Sequence, residues 1–285
     1  MLFENWFLLG ILSYFSYSLS NVADKYLMNL DYGVRKTLMF KSLFNGIILL
    51  IIGLLFFKIN ITTNLIFWAF ILGLLFSSAG LIYYYSLKKK DAQIYVPFTQ
   101  STELLLIFFA SIVFLKEVVN GYNLIGVLLI LLGLYLTLSK KRMKILEVDR
   151  ILFYMFFAGI LIAVYSVLVK FLLSEIEPIN LSIAVYFSVF LILFIAGGFI
   201  KENKKVKINF NIWKVGLTSF FGSMGTLFLF YALSIGNASK IYPIAGIQSV
   251  IVFFIAMIFL KEKFSWFRLI GSLFIFAGIY LVSLT

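Results

Sequence analysis

The sequence predicts an all-α integral membrane protein with ten transmembrane helices, arranged as two inverted five-helix repeats. Three observations predict this: a lipid-suited composition, ten long apolar runs uncharged but for Glu103 in the fourth, and self-similarity at a shift of 145 residues.

Of the 285 residues, 63% are hydrophobic and 13% charged, about half the charge fraction of an ordinary soluble domain. So little polar surface cannot cover a globule in water. Cysteine and histidine are both absent. Their absence excludes disulfides, thiolate metal sites and thiol nucleophiles, together with the commonest general base. Zinc chemistry and imidazole-dependent triads are therefore excluded, neither metal nor cofactor is implied, and an enzyme is not expected. The net charge of +12 sits in short clusters between apolar runs rather than on one soluble face, so no nucleic-acid partner is indicated. Met1–Asn5 lacks a basic n-region, so the first apolar run reads as a retained helix rather than a cleaved signal.

A spanning helix needs roughly 20 mostly apolar residues. The runs follow in order as Trp6–Ala23, Ser42–Phe57, Leu65–Leu87, Ala92–Leu115 and Val118–Ser139 in the first half. Ile151–Val169, Pro178–Ile200, Val215–Ser239, Ile241–Leu260 and Leu269–Thr285 make up the second. The second and last runs are short, and Leu38–Phe40 or Trp266 and Phe267 extend them. Charges fall between runs, at Asp31–Lys36, Lys88–Asp91, Lys116–Glu117, Lys140–Arg150, Lys201–Lys207 and Lys261–Lys263. The runs are too long for barrel strands and lack their alternation, and only helices satisfy the backbone of such segments in lipid.

The shift of 145 lays Phe114–Glu117 on Phe259–Glu262 and Leu124–Gly126 on Leu269–Gly271. It also pairs Gly133 with Gly278, Trp68 with Trp213, Gly80 with Gly225 and Lys25 with Lys170. Over 108–138 there are 14 identities in 31 positions, more than shared apolar composition gives. The halves are residues 1–139 and 151–285, joined by a basic loop, 140–150. Five helices per half is an odd number, so the second half enters the membrane from the other side. The basic residues agree: twenty of the twenty-four lie on the loops of one side. The positive-inside rule places those loops in the cytoplasm and both termini outside a cell membrane.

The paired stretches Ala92–Leu138 and Ser239–Leu284 each hold an apolar helix, a Leu-Lys-Glu turn and a glycine-bearing final helix. In this they resemble the EamA family of the drug/metabolite transporter superfamily. The resemblance implies a ten-helix carrier with a central cavity between its repeats and alternating access. Its implied cargo is small molecules, amino acids or related metabolites or drugs, often exported. A channel, a lipid scramblase and a non-transport membrane partner are the alternatives.

Glu103 stands out as the carboxylate mid-way along the fourth run, and Gln248 is its repeat mate. Intramembrane acids face a bundle interior or a watery cavity, so Glu103 is the candidate proton carrier and Gln248 its companion at the repeat interface. A structural hydrogen bond, or a pair with Lys25 or Lys170, is the bland alternative. Lys25 and Lys170 read first as snorkelling residues and second as anchors for a substrate carboxylate. Gln100, Asn21, Asn45, Tyr84, Tyr165, Tyr186 and Tyr231 are further polar groups at membrane depth. Pro97 and Pro243 read as helix-starting residues, with a gate hinge as the minority reading. Lys116 with Glu117, and Lys261 with Glu262, read as turn markers, each Glu favouring the start of the helix that follows. Gly126 with Gly133, and Gly271 with Gly278, lie seven residues apart, on one helical face suited to close packing.

Overall fold

The computed structural model describes residues 5–115, 121–138, 150–197 and 211–282. The first half holds α1 (Trp6–Asn29), α2 (Val34–Phe56), α3 (Thr63–Lys89), α4 (Ala92–Leu115) and α5 (Gly121–Leu138). The second holds α6 (Arg150–Leu172), α7 (Pro178–Ala196), α8 (Ile212–Ile235), α9 (Ala238–Ile241), a 3-10 turn (Tyr242–Ala245), α10 (Gly246–Phe259) and α11 (Trp266–Val282). The segments α9, turn and α10 follow one another as a single interrupted rod. Among the described residues the chain is thus ten helical rods. Five of them, α2, α3, α6, α7 and α8, are long and apolar enough to cross a bilayer by length and composition.

Local signals set the ends. The Asn5 side chain accepts from the Phe7 and Leu8 N–H groups, and Thr62 from Leu65 N–H, which satisfies otherwise orphaned donors. Pro178 opens α7, where its missing N–H is not needed. Asp31 and Lys261 take positive φ, 63° and 55°, and turn the chain after α1 and α10.

Helix packing repeats across the halves. Equivalents α2 and α7 pack on each other, as do α5 and α11; α1 packs on α8, and its counterpart α6 on α3. On the α5–α11 seam Gly133 faces Gly271 while Gly126 faces Gly278. As the number rises on one helix it falls on the other, so these repeat mates run antiparallel. The α2–α7 pair does the same, with Gly46 against Phe187 and Gly53 against Ile183 and Ile179.

The loops sort to two ends. At one end Lys88 pairs with Asp31 at 2.8 Å, Asn211 N–H donates to Tyr32 Oη at 2.9 Å, and Glu262 meets Ala92 and Gln93. Four of the basic loops therefore gather at one end. At the other, Asn60 N–H reaches Asn180 Oδ1 at 3.4 Å, and Trp6 lies against Gly236. Large apolar side chains point outward all around, Trp213 being 84% exposed, as a lipid-facing surface requires.

Several sequence expectations shift. The first run ends at Ala23, but α1 continues to Asn29, and α2 begins at Val34 rather than near Ser42. Pro97 is not in a first turn: α4 starts at Ala92, so Pro97 lies inside the helix, where it leaves the Gln93 carbonyl without its usual donor. Pro243 falls in the 3-10 turn that interrupts the ninth rod. Glu262 does not serve the helix that follows it. It caps α4 instead, accepting from Ala92 N–H at 2.9 Å and Gln93 N–H at 3.3 Å. Lys116, Glu117 and residues 140–149 lie outside the described residues.

Candidate functional site

Between the halves lies a cavity of about 240 Å³. Its walls follow from helical spacing. On α1, Tyr14, Tyr17, Asn21 and Asp24 recur every three to four residues and share one face. On α2 the same rhythm brings in Leu38, Lys41, Ser42 and Asn45, and on α4 Thr99, Gln100 and Glu103. The second half adds Tyr165 and Ser166 from α6, Tyr186 from α7, Tyr242 from the 3-10 turn of the ninth rod and Gln248 from α10 just after it.

Three hydrogen-bonded clusters organise these walls. In the first, Lys41 Nζ lies 2.5 Å from Asp24 Oδ2 and donates to Ser20 Oγ at 2.8 Å. Tyr83 Oη lies 3.1 Å from the same carboxylate oxygen and 2.9 Å from Asn21 Oδ1, and donates to one at a time. In the second, Ser166 Oγ donates to Glu103 Oε1 at 2.7 Å, and Tyr242 donates to the Ser166 carbonyl at 2.9 Å. Gln100 Nε2 donates to Gln248 Oε1, and Ser249 Oγ to Gln100 Oε1 at 3.1 Å. This cluster ties α4 of the first half to α6 and α10 of the second. In the third, Tyr17 and Tyr186 converge on Thr226 Oγ1 at 2.9 and 2.5 Å.

Of the residues singled out from sequence, Glu103, Gln248, Gln100, Asn21, Asn45, Tyr84, Tyr165 and Tyr186 line this one cavity. Tyr231 does not; its ring stacks on Phe57 with centroids 5.4 Å apart. Lys25 and Lys170 also lie off the cavity. Lys25 Nζ donates to the Leu87 and Lys90 carbonyls at 2.6 and 2.8 Å, and Lys170 Nζ to those of Leu233 and Gly236 at 2.6 and 2.9 Å. Each therefore caps the C-terminal end of a neighbouring helix rather than snorkelling to the interface, and the two do so as repeat mates.

Sequence reading missed the Asp24–Lys41 pair, because runs cut at charged residues leave both outside the membrane. It also passed over Tyr14, Tyr17, Tyr83 and Tyr242. The polar stripe along α1 is the signal that could have found them. Among the described residues no cluster of His, Cys, Asp or Glu could hold a metal ion.

A family model described as the EamA-like transporter family matches residues 4–139 and again 149–284. The chain belongs to the EamA-like transporter family. Membership places it in the drug/metabolite transporter superfamily. A solved crystal structure of a protein, 14% identical, superimposes with a TM-score of 0.69 over 97% of this chain and 98% of that one. At that identity the likeness concerns the fold alone. An uncharacterised protein of Methanocaldococcus jannaschii is 37% identical over 62 residues, or 22% of this chain and 45% of its own length. This EamA-like chain thus spans less than half of that relative.

Proposed function

We propose that the chain is a secondary carrier, not an enzyme, in which two inverted halves rock about the central cavity and expose it to each side of the membrane in turn. The halves are residues 1–139 and 151–285, with 140–150 joining them. The antiparallel packing of the repeat mates α5 with α11 and α2 with α7 supports the inversion. The gathering of basic loops at one end supports an orientation with those loops in the cytoplasm and both termini outside. The cargo is a small organic metabolite, amino-acid-like or drug-like, and export is the direction that the family resemblance implies.

The observation that carries this reading is the placement of Glu103. It sits in the cavity wall where the halves meet, beside the interruption of the ninth rod, the kind of broken helix that carriers place at their sites. Its hydrogen bond comes from Ser166 of the other half, and among the described residues no ammonium or guanidinium neutralises it. Ionised, the carboxylate accepts from Ser166. Protonated, it keeps an acceptor oxygen for Ser166 but gains an O–H that must find an acceptor of its own, which alters the hydrogen bonding at the α4–α6 seam. Proton coupling through Glu103 therefore acts on the seam that has to move.

Counterflow in proteoliposomes tests the carrier. Vesicles preloaded with one unlabelled pool at a time should exchange a labelled member of one pool, saturably. Glu103→Gln should keep exchange but lose accumulation driven by a proton gradient. Non-saturating flux far above carrier turnover would replace this reading with a channel.

A further inference from the structure

Asp24 and Lys41 are 1% and 8% exposed, and both line the cavity. A buried ion pair is seldom a gain for stability, because desolvation of both charges offsets their attraction. At a shift of 145 the equivalents are Val169 and Tyr186, so the repeat mates of α1 and α2 carry no charge at these positions. The repeat pattern therefore does not call for an ion pair here.

The pair is also incompletely satisfied. Lys41 and Tyr83 both address Asp24 Oδ2. Asp24 Oδ1 and the Tyr84 hydroxyl are buried and neither makes a hydrogen bond of good geometry, although the Tyr84 hydroxyl lies near enough to the carboxylate to interact with it. An unsatisfied buried carboxylate oxygen is costly, and it stands open to a donor brought into the cavity. Lys41 Nζ retains a third donor after Ser20 and Asp24 are served. An acceptor site and a cationic donor thus stand side by side.

We propose that Asp24 and Lys41 form the head-group subsite of the cavity and take a zwitterion, its ammonium on Asp24 Oδ1 and its carboxylate on Lys41 Nζ. This rests on the carrier reading and names the charge class of its cargo. A net-neutral pair receiving a net-neutral zwitterion leaves no added charge in a low-dielectric interior. A simple amine or a simple carboxylate of the same skeleton adds one, at the price of burying it. Lys41 Nζ lies over the Tyr84 ring, 6.0 Å from its centroid, and Tyr83 meets that ring edge to face at 4.9 Å, so the aromatic wall beside the pair favours cations.

The test is binding to the purified full chain, read as the rise in unfolding temperature with added ligand. Its probes are the common α-amino acids and, for each skeleton, the matching amine and carboxylic acid. At least one amino acid should bind, with its two singly charged relatives at least ~10-fold weaker. Asp24→Asn and Lys41→Met should each weaken binding on the order of tenfold or more. The double variant Asp24→Asn/Lys41→Met should fold as well as the wild type and not bind, since removing both charges of a buried pair is tolerated. Equal binding of the singly charged probes, unchanged affinity in a stable double variant, or no binding by any amino acid would overturn the subsite. Saturable counterflow of some other pool, insensitive to the double variant, would remove the subsite and leave the carrier standing.

Discussion

The α5–α11 seam offers the sharpest steric prediction. A Cβ on Gly271 would meet Thr137 Oγ1 at 2.5 Å, the Gly133 carbonyl oxygen at 2.7 Å and Thr137 N at 2.9 Å. Two of these atoms belong to the α5 backbone, so a side-chain rotation cannot relieve the clash and the helices must separate. Overpacking of this kind costs about 1–3 kcal/mol. For a chain larger than 150 residues, about 2–4 °C of unfolding temperature per kcal/mol makes Gly271→Ala roughly 2–12 °C less stable. Gly216 is the contrast: nothing lies within 4 Å of its added Cβ, and it sits inside α8. Gly216→Ala should therefore gain about 0.5–1 kcal/mol of helix propensity. The assay is thermal unfolding in detergent followed by tryptophan fluorescence. Since no residue of α5 or α11 lines the cavity, ligand affinity should not change in either variant. An unaltered unfolding temperature for Gly271→Ala would refute the close antiparallel seam.

Three further predictions concern charges and turns. Lys25→Met strands the Leu87 and Lys90 carbonyls and should cost about 1–3 kcal/mol, with ligand affinity unchanged; an affinity loss in a stable variant would restore Lys25 as a substrate anchor. Burial pushes the Glu262 carboxyl above the ordinary carboxylate range, against the opposing pull of the Ala92 and Gln93 N–H groups. A raised folded value favours the protonated fold, so that contribution is present below about pH 4 and is lost as pH rises through the folded value. Unfolding temperatures of wild type and Glu262→Gln should accordingly coincide in acid and diverge in favour of the variant on going to neutral pH. Asp31, held below the ordinary carboxylate range by its hydrogen bond from Lys88, is an exposed partner. Asp31→Asn should leave the unfolding temperature unchanged, because exposed pairs contribute little and Asn accepts positive φ, whereas Asp31→Val, β-branched at φ 63°, should lower it.

The sequence made most of the architecture legible because a lipid solvent leaves few options. Apolar runs gave the rods and the 145-residue shift gave their repeat equivalence, whereas the packing of α5 on α11 and of α2 on α7 came only with the structure. Glu103 was legible because a lone acid in an apolar run has few roles. Asp24 and Lys41 were not, for a physical reason: Asp24 directly follows the first uncharged run and Lys41 directly precedes the second, and a criterion that stops at a charge leaves both outside although α1 and α2 contain them. Only their meeting across α1 and α2 lets both be buried, and that meeting is a tertiary fact. The roles of Lys25 and Glu262 were hidden in the same way. Each satisfies the backbone of a helix distant in sequence, and local pattern carries no trace of such a partner.

Alternating access to the cavity is the central claim, and the chain is suited to a direct test because it has no cysteine of its own. Ala79 lies in the cavity wall at 2% exposure, so Ala79→Cys places a single thiol at the site with little added bulk. Its labelling by a membrane-impermeant maleimide should be measured in vesicles of both orientations. The account predicts labelling from both sides, slowed in each by bound cargo. Labelling from one side only, at a rate unchanged by any pool of ligands, would contradict it.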